Sequence, residues 1–283
     1  MAAVGADLGG LHRRDLLVDG CISITTRLTC AAGTLVLKQR PNAPADLFAC
    51  EIEGLEALRP SLAVPAVLAN GPGWLLLEDC GPQVGCEALP FPGDDPRWDD
   101  YGRAYARLHG RIAGSFGWSH DTWWGLMRMD QTPTASGHEF YAERRLRFFL
   151  RRPKTERWLD AEDRRRIDRI AERLGDLVPD DPPCLNHGDL WAGNRVRVGD
   201  RLGAIDPFIH NGWAEADLHN PLMFGGFPER FFDAYRESRP LAPGWRDRCE
   251  LWYLLHLLGM LEQSIEVGIA LPWLRRLAAR FAD

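Results

Sequence analysis

The sequence predicts an α+β chain with two lobes: a small antiparallel sheet carrying one helix, then a larger, mainly helical lobe. Two observations lead to this prediction. Short apolar runs separated by turn residues occupy the chain before residue 79, as in strands joined by hairpins. Beyond that point, apolar residues recur at spacings of three and four, which is typical of helices with one buried side. The change of pattern divides the chain into residues 1–79 and residues 80–283.

Turn residues delimit the elements of the first lobe. Asp19-Gly20 and Gly33 interrupt the apolar runs, and Pro60 lies just beyond a helical pattern at 44–58. Strands are therefore predicted over five short ranges, namely 16–18, 22–28, 34–38, 67–68 and 74–78.

In the second lobe, helices are predicted over 98–112, 160–177 and 251–265 from their apolar stripes. Asp160 is a plausible N-cap for the second of these helices. Pro272 suits the first turn of a final helix. The polar–apolar alternation of 195–205 around Gly199-Asp200 predicts a β-hairpin.

The bulk properties exclude several classes of protein. Hydrophobic residues make up 45% of the 283 positions, and no run is long enough to cross a membrane. The N-terminus lacks the features of a secretion signal. A net charge of −6 argues against a general nucleic-acid binder. Seven cysteines without a C-x-x-C motif indicate free thiols in a reducing cytoplasm.

The most informative segment runs from His187 to Asn194 and continues to Asp206. In the pattern H-x-D-x-x-x-x-N, the Asp accepts a proton from a hydroxyl group while the Asn and a later Asp hold metal ions that bridge nucleotide phosphates. Asp189 is therefore the candidate catalytic base, and Asn194 and Asp206 are candidate ligands for Mg²⁺. The hairpin between them would bring all three to one edge. The alternative is a helix-capping Asp, a turn Asn and a loop Asp with no shared role.

The scarcity of lysine in this chain identifies a candidate residue for binding the nucleotide phosphates. The chain has only two lysines, Lys38 and Lys154, so Lys38 at the end of an apolar strand is conspicuous. A strand lysine that contacts nucleotide phosphates is positioned by a helix glutamate in kinases. Glu51 and Glu53 are both candidates, and Glu51 is preferred. A surface lysine near solvated acids is the alternative.

The turn between the first two strands is the candidate phosphate-covering loop. Gly20, Cys21 and Ser23 occupy it, and backbone N–H groups with the Ser23 hydroxyl could meet phosphate oxygens. No G-x-G-x-x-G motif is present, so an ordinary hairpin turn is the alternative. Cys21 could also be an oxidisable thiol at the tip of this turn.

Together these residues resemble the fructosamine kinase family, whose fold is protein-kinase-like and shared with aminoglycoside phosphotransferases. The stretch from His187 to Asn194 is similar to the family's HGDLW[SA]GN, and 205–218 and 224–235 also follow its pattern. The resemblance implies an enzyme that uses ATP and Mg²⁺ to phosphorylate a sugar hydroxyl of a ketosamine. The acceptor would be a small glycated amine or a glycated protein lysine, and phosphorylation would initiate deglycation.

Further site residues come into consideration with that resemblance. The chain near Glu78, Asp79 and Cys80 would bind the adenine edge of ATP. Trp191 offers a flat ring to sugar C–H groups or to a cationic amine, but it could equally be a core residue.

Two acids further along, Glu215 and Asp217, are also candidates for the substrate-binding side. Glu215 could pair with a substrate amine or be a surface acid. Asp217 could cap a helix or, as the resemblance favours, brace the catalytic loop. His187 is expected to brace that loop rather than carry protons. The arginines of 144–152 are expected on a solvated helix face.

One segment departs from the family pattern D-N-Y-I-G-x-x-x-Q-x-N. Here it begins Asp-Thr-Trp-Trp-Gly, with Thr122, Met129 and Gln131 in place of Asn, Gln and Asn. A site that lacks a partner for a substrate hydroxyl discriminates strongly against that substrate. Two other functions therefore stay open, a kinase for an aminoglycoside or amino sugar and an ATP-binding pseudoenzyme.

Overall fold

The computed structural model describes residues 10–19, 23–31, 33–81 and 91–282. The first lobe is a five-stranded antiparallel sheet in the order β1-β2-β3-β5-β4. Helix α1, Leu47–Leu58, follows the third strand and buries its apolar side. The strands are β1 Leu11–Asp19, β2 Ile24–Cys30, β3 Gly33–Gln39, β4 Val67–Gly71 and β5 Trp74–Glu78.

Helix α1 also joins the two lobes. A Cβ atom added at Gly54 would lie 2.6 Å from Cγ of Pro207, so the helix backbone and the Pro207 ring approach as closely as a glycine allows. Gly54 is buried in this contact. The packing places Asp206, the neighbour of Pro207, beneath the small lobe.

The second lobe is mainly helical and is built around the long helix α11. Most of its buried apolar residues belong to one cluster on α11 and α12 or to a second cluster on α2 and α10. One turn of π-helix, Ala142–Leu146, lies between α3 and α4. The helices are α2 Arg97–His109, α3 Gly137–Tyr141, α4 Arg147–Leu150, α5 Pro153–Glu156, α6 Ala161–Glu172, α7 Leu174–Leu177, α8 Ala214–Asp217, α9 His219–Met223, α10 Glu229–Ser238, α11 Trp245–Gln263 and α12 Val267–Ala282.

Three two-stranded ribbons complete the second lobe. Strands β8 (Cys184–Asn186) and β11 (His210–Gly212) pair antiparallel, so the segment after β8 lies beside the segment before β11. Between these segments the Phe208 amide donates to the His187 carbonyl over 2.9 Å. The segments that carry Asp189 and Asp206 therefore share one edge. The ribbons pair β6 Thr122–Trp124 with β7 Met127–Met129, β8 Cys184–Asn186 with β11 His210–Gly212, and β9 Arg195–Val198 with β10 Arg201–Ala204.

The two-lobed α+β class is confirmed, as are the hairpin at 195–205 and the N-cap at Asp160, which accepts bonds from two backbone N–H groups. The prediction for Pro272 is wrong, because the last helix begins at Val267 and contains the proline in its interior. A proline at this position removes one intrahelical hydrogen bond and crowds the carbonyl of Gly268, so the helix contains it at a cost in stability. The boundary at residues 79 and 80 stays a prediction.

The arginine-rich segment also differs from expectation at one position. Arg145 is buried, with 3% of its surface exposed, and its guanidinium lies over the Phe140 ring at 4.3 Å. Arg145 belongs to the π-helical turn. Within 10–19, 23–31, 33–81 and 91–282, no helix has both the length and the apolar character needed to span a membrane.

Candidate active site

A cavity of about 630 Å³ lies where helix α1 meets the catalytic loop. Residues of the sheet lobe and of the helical lobe both line it. Seven of the predicted site residues face this cavity, namely Ser23, Lys38, Glu51, Asp189, Trp191, Asn194 and Asp206. The structure therefore brings the core of the predicted constellation together.

Lys38 is the central cation of the cavity. Its Nζ lies 2.7 Å from Oε1 of Glu51 and also contacts Oδ1 of Asp206. Glu53 instead accepts a bond from the Trp118 indole at 2.9 Å. Although burial disfavours its charge, the carboxylates of Asp206 and Glu51 raise the pKa of Lys38. Lys38 is therefore a fixed positive charge. We call Lys38, Glu51 and Asp206 the charged end of the cavity.

Asn194 positions Asp189 directly. The Asn194 amide nitrogen donates to the Asp189 carbonyl over 2.8 Å and to Oδ2 over 3.1 Å. The other carboxylate oxygen, Oδ1, is buried and makes no hydrogen bond of ordinary geometry among the described residues, although the Trp124 indole N–H lies near the carboxylate. A buried polar atom without a partner is costly and is normally satisfied in the functional state. Asp189 therefore has one oxygen held in place and one available to a ligand.

The surroundings of Asp189 increase the affinity of its carboxylate for a proton. Burial raises the pKa of Asp189 well above its ordinary value, and the nearby charge of Asp206 adds to this effect. The Asn194 side chain and the indole N–H of Trp124 act in the opposite direction by favouring the ionised form. A carboxylate with a raised pKa is a stronger base, and it therefore receives a proton from a hydroxyl group more readily.

The oxygen donors fit magnesium better than a softer metal. Because its amide nitrogen is bonded to Asp189, Asn194 retains its amide oxygen, and Asp206 offers a carboxylate. The described residues contain no group of three His, Cys, Asp or Glu side chains that could hold a metal by themselves. Magnesium is commonly held by one or two protein oxygens together with phosphate oxygens. Asn194 and Asp206 are therefore suited to a phosphate-bridged ion.

The catalytic loop is braced by the backbone and by His187. The His187 ring receives a hydrogen bond from the Asp189 amide at 3.2 Å and donates through Nε2 to the Ile205 carbonyl at 3.1 Å. Burial lowers the pKa of His187 to about 4, so the ring is neutral at physiological pH. Gly188 has a φ of +81°, and an added Cβ would lie 2.0 Å from the Phe208 carbonyl. Only glycine fits this position.

Asp217 also holds the catalytic loop, through hydrogen bonds to its backbone. Its two carboxylate oxygens accept bonds from the backbone N–H groups of His187 and Gly188, both at 2.8 Å. The Tyr105 hydroxyl and His109 Nε2 lie 2.5 and 3.1 Å from Oδ2. Burial alone would raise the pKa of Asp217, but its hydrogen-bond partners, His109 first, hold that pKa well below its ordinary value. All its bonding capacity is used within the protein.

Several other predicted residues lie away from the cavity. Glu215 pairs with Arg248 at 2.7 Å and so ties α8 to α11. Asp79 pairs with Arg27 at 2.6 Å, and Glu78 accepts a bond from the Ala66 amide at 3.0 Å. Neither these three acids nor Cys80 and Asp217 belong to the described cavity lining. The predicted positions at Gly20 and Cys21 fall outside the described residues.

Trp191 is the one aromatic residue of the described cavity lining that sequence reasoning named as a site residue, and several further rings lie beside the same cavity. Trp124, Trp191, Phe224 and His256 line it, and we call these four residues the aromatic end. Trp191 meets Phe224 edge-on with 5.7 Å between ring centroids, and Phe224 meets His256 at 4.6 Å. The signal for His256 was weak, since one histidine in the apolar stripe of α11 resembles an ordinary core residue. Glu266, exposed at the α11–α12 junction, also lines the cavity.

The chain matches the family model described as fructosamine kinase over residues 9–264. This chain belongs to the fructosamine kinase family. A provisionally named ketoamine kinase of Enterococcus faecium is 31% identical over 88% of this chain and 89% of its own length. A protein-ribulosamine 3-kinase of Arabidopsis thaliana is 28% identical over 92% of this chain and 82% of its own length.

The fold of this fructosamine kinase family member is also found in a solved relative. A crystal structure from Thermobifida fusca, provisionally named a fructosamine-3-kinase, superimposes with a TM-score of 0.82. The two chains are 33% identical, and the match covers 99% of this chain and 98% of the other. The bilobal kinase-like architecture is thus shared within the family.

Three residues depart from the family pattern, Thr122, Met129 and Gln131, and two of them are joined by a hydrogen bond. The Gln131 amide nitrogen donates to the Thr122 hydroxyl over 2.8 Å, and Arg145 donates to the Gln131 amide oxygen over 2.7 Å. Met129 and Gln131 are completely buried, and of the three only Thr122 lines the cavity. Thr122 and Gln131 therefore form a satisfied buried pair, and of the three departures only Thr122 changes the cavity wall.

Proposed function

We propose that this protein transfers the terminal phosphoryl group of ATP to a sugar hydroxyl of a ketosamine. One observation carries the proposal. Asp189, which is held by a hydrogen bond from Asn194, faces the same cavity as the charged end formed by Lys38, Glu51 and Asp206. Membership of the fructosamine kinase family and relatives named for ketoamines and ribulosamines support this choice of acceptor.

The transfer requires one bond to form and one to break. The acceptor hydroxyl oxygen bonds to the terminal phosphorus of ATP, and the bond from that phosphorus to the bridging oxygen of ADP breaks. Asp189 receives the hydroxyl proton, and Lys38 offsets negative charge on the phosphates. Magnesium, bound through Asn194 and Asp206 with phosphate oxygens, would supply further neutralisation of that charge. Most of the acceleration in this chemistry comes from positioning and electrostatic stabilisation.

The charges around the cavity favour a cationic acceptor. Lys38 offsets the charge of Glu51 and Asp206, and burial favours the neutral form of Asp189, so the exposed carboxylate of Glu266 is the acid of the described lining without a basic partner there. Burial lowers the pKa of His256 to about 3. A ketosamine carries a protonated secondary amine, which this distribution attracts. Neutral sugars lack that attraction.

Free thiols support a reducing compartment for this reaction. The five cysteines in the described parts of the chain are all free, and four of them are buried. Disulfides are rare in proteins of the cytosol, where thiols are kept reduced. We infer a cytoplasmic site of action, in keeping with repair of glycated small molecules or proteins.

An ADP-release assay with a panel of acceptors tests the proposal. Ribulosyl and fructosyl derivatives of one amine are compared with an aminoglycoside and with the free amine, and mass spectrometry confirms the phosphorylated product. We expect turnover of at least one ketosamine and none of the free amine. Turnover of the aminoglycoside alone would overturn the proposed acceptor, and ATP binding without any transfer would show a pseudoenzyme.

A further inference from the structure

Asp46, at the N-terminal end of helix α1, is bonded to the second lobe. Its Oδ1 accepts a hydrogen bond from the Trp123 indole at 3.1 Å, and its Oδ2 accepts one from the Arg128 guanidinium at 2.9 Å. Within the described chain, the carboxylate makes no capping bond to the first turn of α1. An aspartate at this position normally stabilises its own helix through such a bond. The carboxylate of Asp46 instead makes a contact between the lobes.

Glu53 repeats this arrangement two turns further along α1. Its Oε1 accepts a hydrogen bond from the Trp118 indole at 2.9 Å, and its Oε2 lies 3.0 Å from Nε2 of His120. Residues seven apart lie on the same side of a helix, so Asp46 and Glu53 face the second lobe together. Each acid thus meets one indole N–H group and one basic side chain. We call the group the α1 clamp, and it consists of Asp46, Glu53, Trp118, His120, Trp123 and Arg128.

The second-lobe side of the α1 clamp is attached to the strands beside the catalytic loop. The backbones of Gly117 and Asn211 exchange two hydrogen bonds, at 2.9 and 2.8 Å, and the Trp118 amide donates to the Gln131 carbonyl at 2.8 Å. Asn211 belongs to β11, which pairs with β8, and the loop that carries Asp189 follows β8. The donors of the clamp are therefore anchored to the strand pair that leads into the catalytic loop.

The first-lobe side of the α1 clamp is the helix that carries Glu51. The Glu51 carboxylate lies 2.7 Å from Nζ of Lys38, so the position of α1 also sets the position of the cation for phosphate. Asp189 belongs to the other lobe. Transfer requires the phosphate and the acceptor hydroxyl to be held close together, and a displacement of about 1 Å can lower the rate about a hundredfold. Contacts that fix α1 on the second lobe therefore bear on the transfer step.

We infer that Asp46 and Glu53 are positioning residues, which hold α1 on the second lobe through the indole N–H groups of Trp123 and Trp118 and so set the separation between Lys38 and Asp189. The inference rests on the proposed function. The Asp46 and Arg128 side chains are 42% and 50% exposed, so this ion pair by itself contributes little. The full effect is expected when both acids are removed.

The test removes both carboxylates in the variant Asp46→Ala/Glu53→Ala. We expect kcat to fall about tenfold, less than for a full 1 Å displacement because other contacts still hold α1. The KM for ATP should change less than about twofold, since Lys38 and Glu51 stay paired within the first lobe. ADP release gives the rates, and the stoichiometry of ATP binding in calorimetry gives the folded fraction to which kcat is referred.

Glu56→Gln is the matched control on the same helix. Glu56 pairs with Arg59 at 2.9 Å inside the first lobe, so this variant should retain the kcat of the unmodified protein.

Trp123→Phe examines the same contact from the second lobe. The ring is kept and only the N–H donor is lost, so this variant also serves if the double alanine variant does not fold. If Asp46 acts through Trp123, Trp123→Phe should lower kcat, and its combination with Asp46→Ala should lower kcat little further. Fully additive losses would contradict the inference.

The outcomes separate this inference from the proposed function. An unmodified protein that phosphorylates no ketosamine would overturn the proposed function. An active unmodified protein whose kcat survives both Asp46→Ala/Glu53→Ala and Trp123→Phe would overturn the inference alone. An equal loss in Glu56→Gln would also contradict it, as would a rise in KM for ATP as large as the fall in kcat, because the effect would then lie in nucleotide binding.

Discussion

The charged end and the aromatic end of the cavity are held together by different forces. In the charged end, Lys38 contacts Glu51 and Asp206, so each charge depends on the others. In the aromatic end, Trp124 and His256 are held by ring packing. Removing one partner of a buried ion pair is strongly destabilising, whereas packed rings tolerate replacements of similar volume. From this contrast we expect phosphoryl transfer to depend on the charged end and the preference among acceptors to depend on the aromatic end.

The largest effect is expected from Asp189→Asn, between the two ends. The variant cannot accept the hydroxyl proton, so kcat should fall by about 10²- to 10⁴-fold. Binding of ATP should persist, because Lys38 and Glu51 are unchanged. Phosphoryl transfer is measured by ADP release, and ATP binding by calorimetry. An unaltered kcat would show that Asp189 is not the proton acceptor.

Lys38→Met should break the charged end while leaving the aromatic end in place. Loss of the cation removes a contact to phosphate and leaves Glu51 and Asp206 without their shared partner. We expect kcat/KM for ATP to fall about a hundredfold, as when one preorganised donor is lost. The ratio between ketosamine acceptors should not change. Lys154→Met, at the other lysine, is the matched control and should behave as the unmodified protein.

Asp217→Asn should loosen the catalytic loop that both ends share. An amide cannot accept all the hydrogen bonds of the carboxylate, so the free energy of unfolding should fall by about 2 kcal/mol at pH 7. The pKa of Asp217 is depressed in the fold, so its stabilisation is present above about pH 4 and is lost as the pH falls further. Urea unfolding at pH 7 and at pH 3 should show the difference shrinking. An equal difference at both pH values would contradict this assignment.

Glu266→Gln should give the smallest effect and tests the mouth of the cavity. Exposed charge pairs contribute little, so KM for a cationic ketosamine should rise only about two- to fivefold, with kcat unchanged. The effect should diminish at high ionic strength. An N-acylated, uncharged analogue is the control, and its KM should not respond. An equal rise for both compounds would assign Glu266 a role other than attraction of the amine.

The charged end could be located from the sequence because its chemistry leaves recognisable residues. Asp189, Asn194 and Asp206 follow a fixed spacing, and Lys38 is conspicuous where lysine is rare. The choice of Glu51 over Glu53 depended on which turn of α1 faces the sheet, and the preferred residue is the one paired with Lys38. Residue type and spacing along the chain were therefore sufficient to locate the charged end.

Apart from Trp191, the aromatic end was beyond sequence reasoning because tryptophan and histidine have no distinctive spacing when they act through packing. Trp124 and Gly259 are separated by more than a hundred positions and meet only when β6 lies against α11. Likewise, the sequence showed Thr122 and Gln131 only as two departures from the family pattern. The structure shows that they form a buried hydrogen-bonded pair.

The sequence by itself determined the two-lobed class, the strand and helix periods and the spacing of Asp189, Asn194 and Asp206, because these depend on local apolar spacing and on residue type. Only the tertiary structure decided that Asp217 supports the loop and that Trp124 occupies the space beside the proton acceptor. These roles depend on contacts between residues distant in the chain. Such contacts are set by how the elements pack, and local pattern carries no information about that packing.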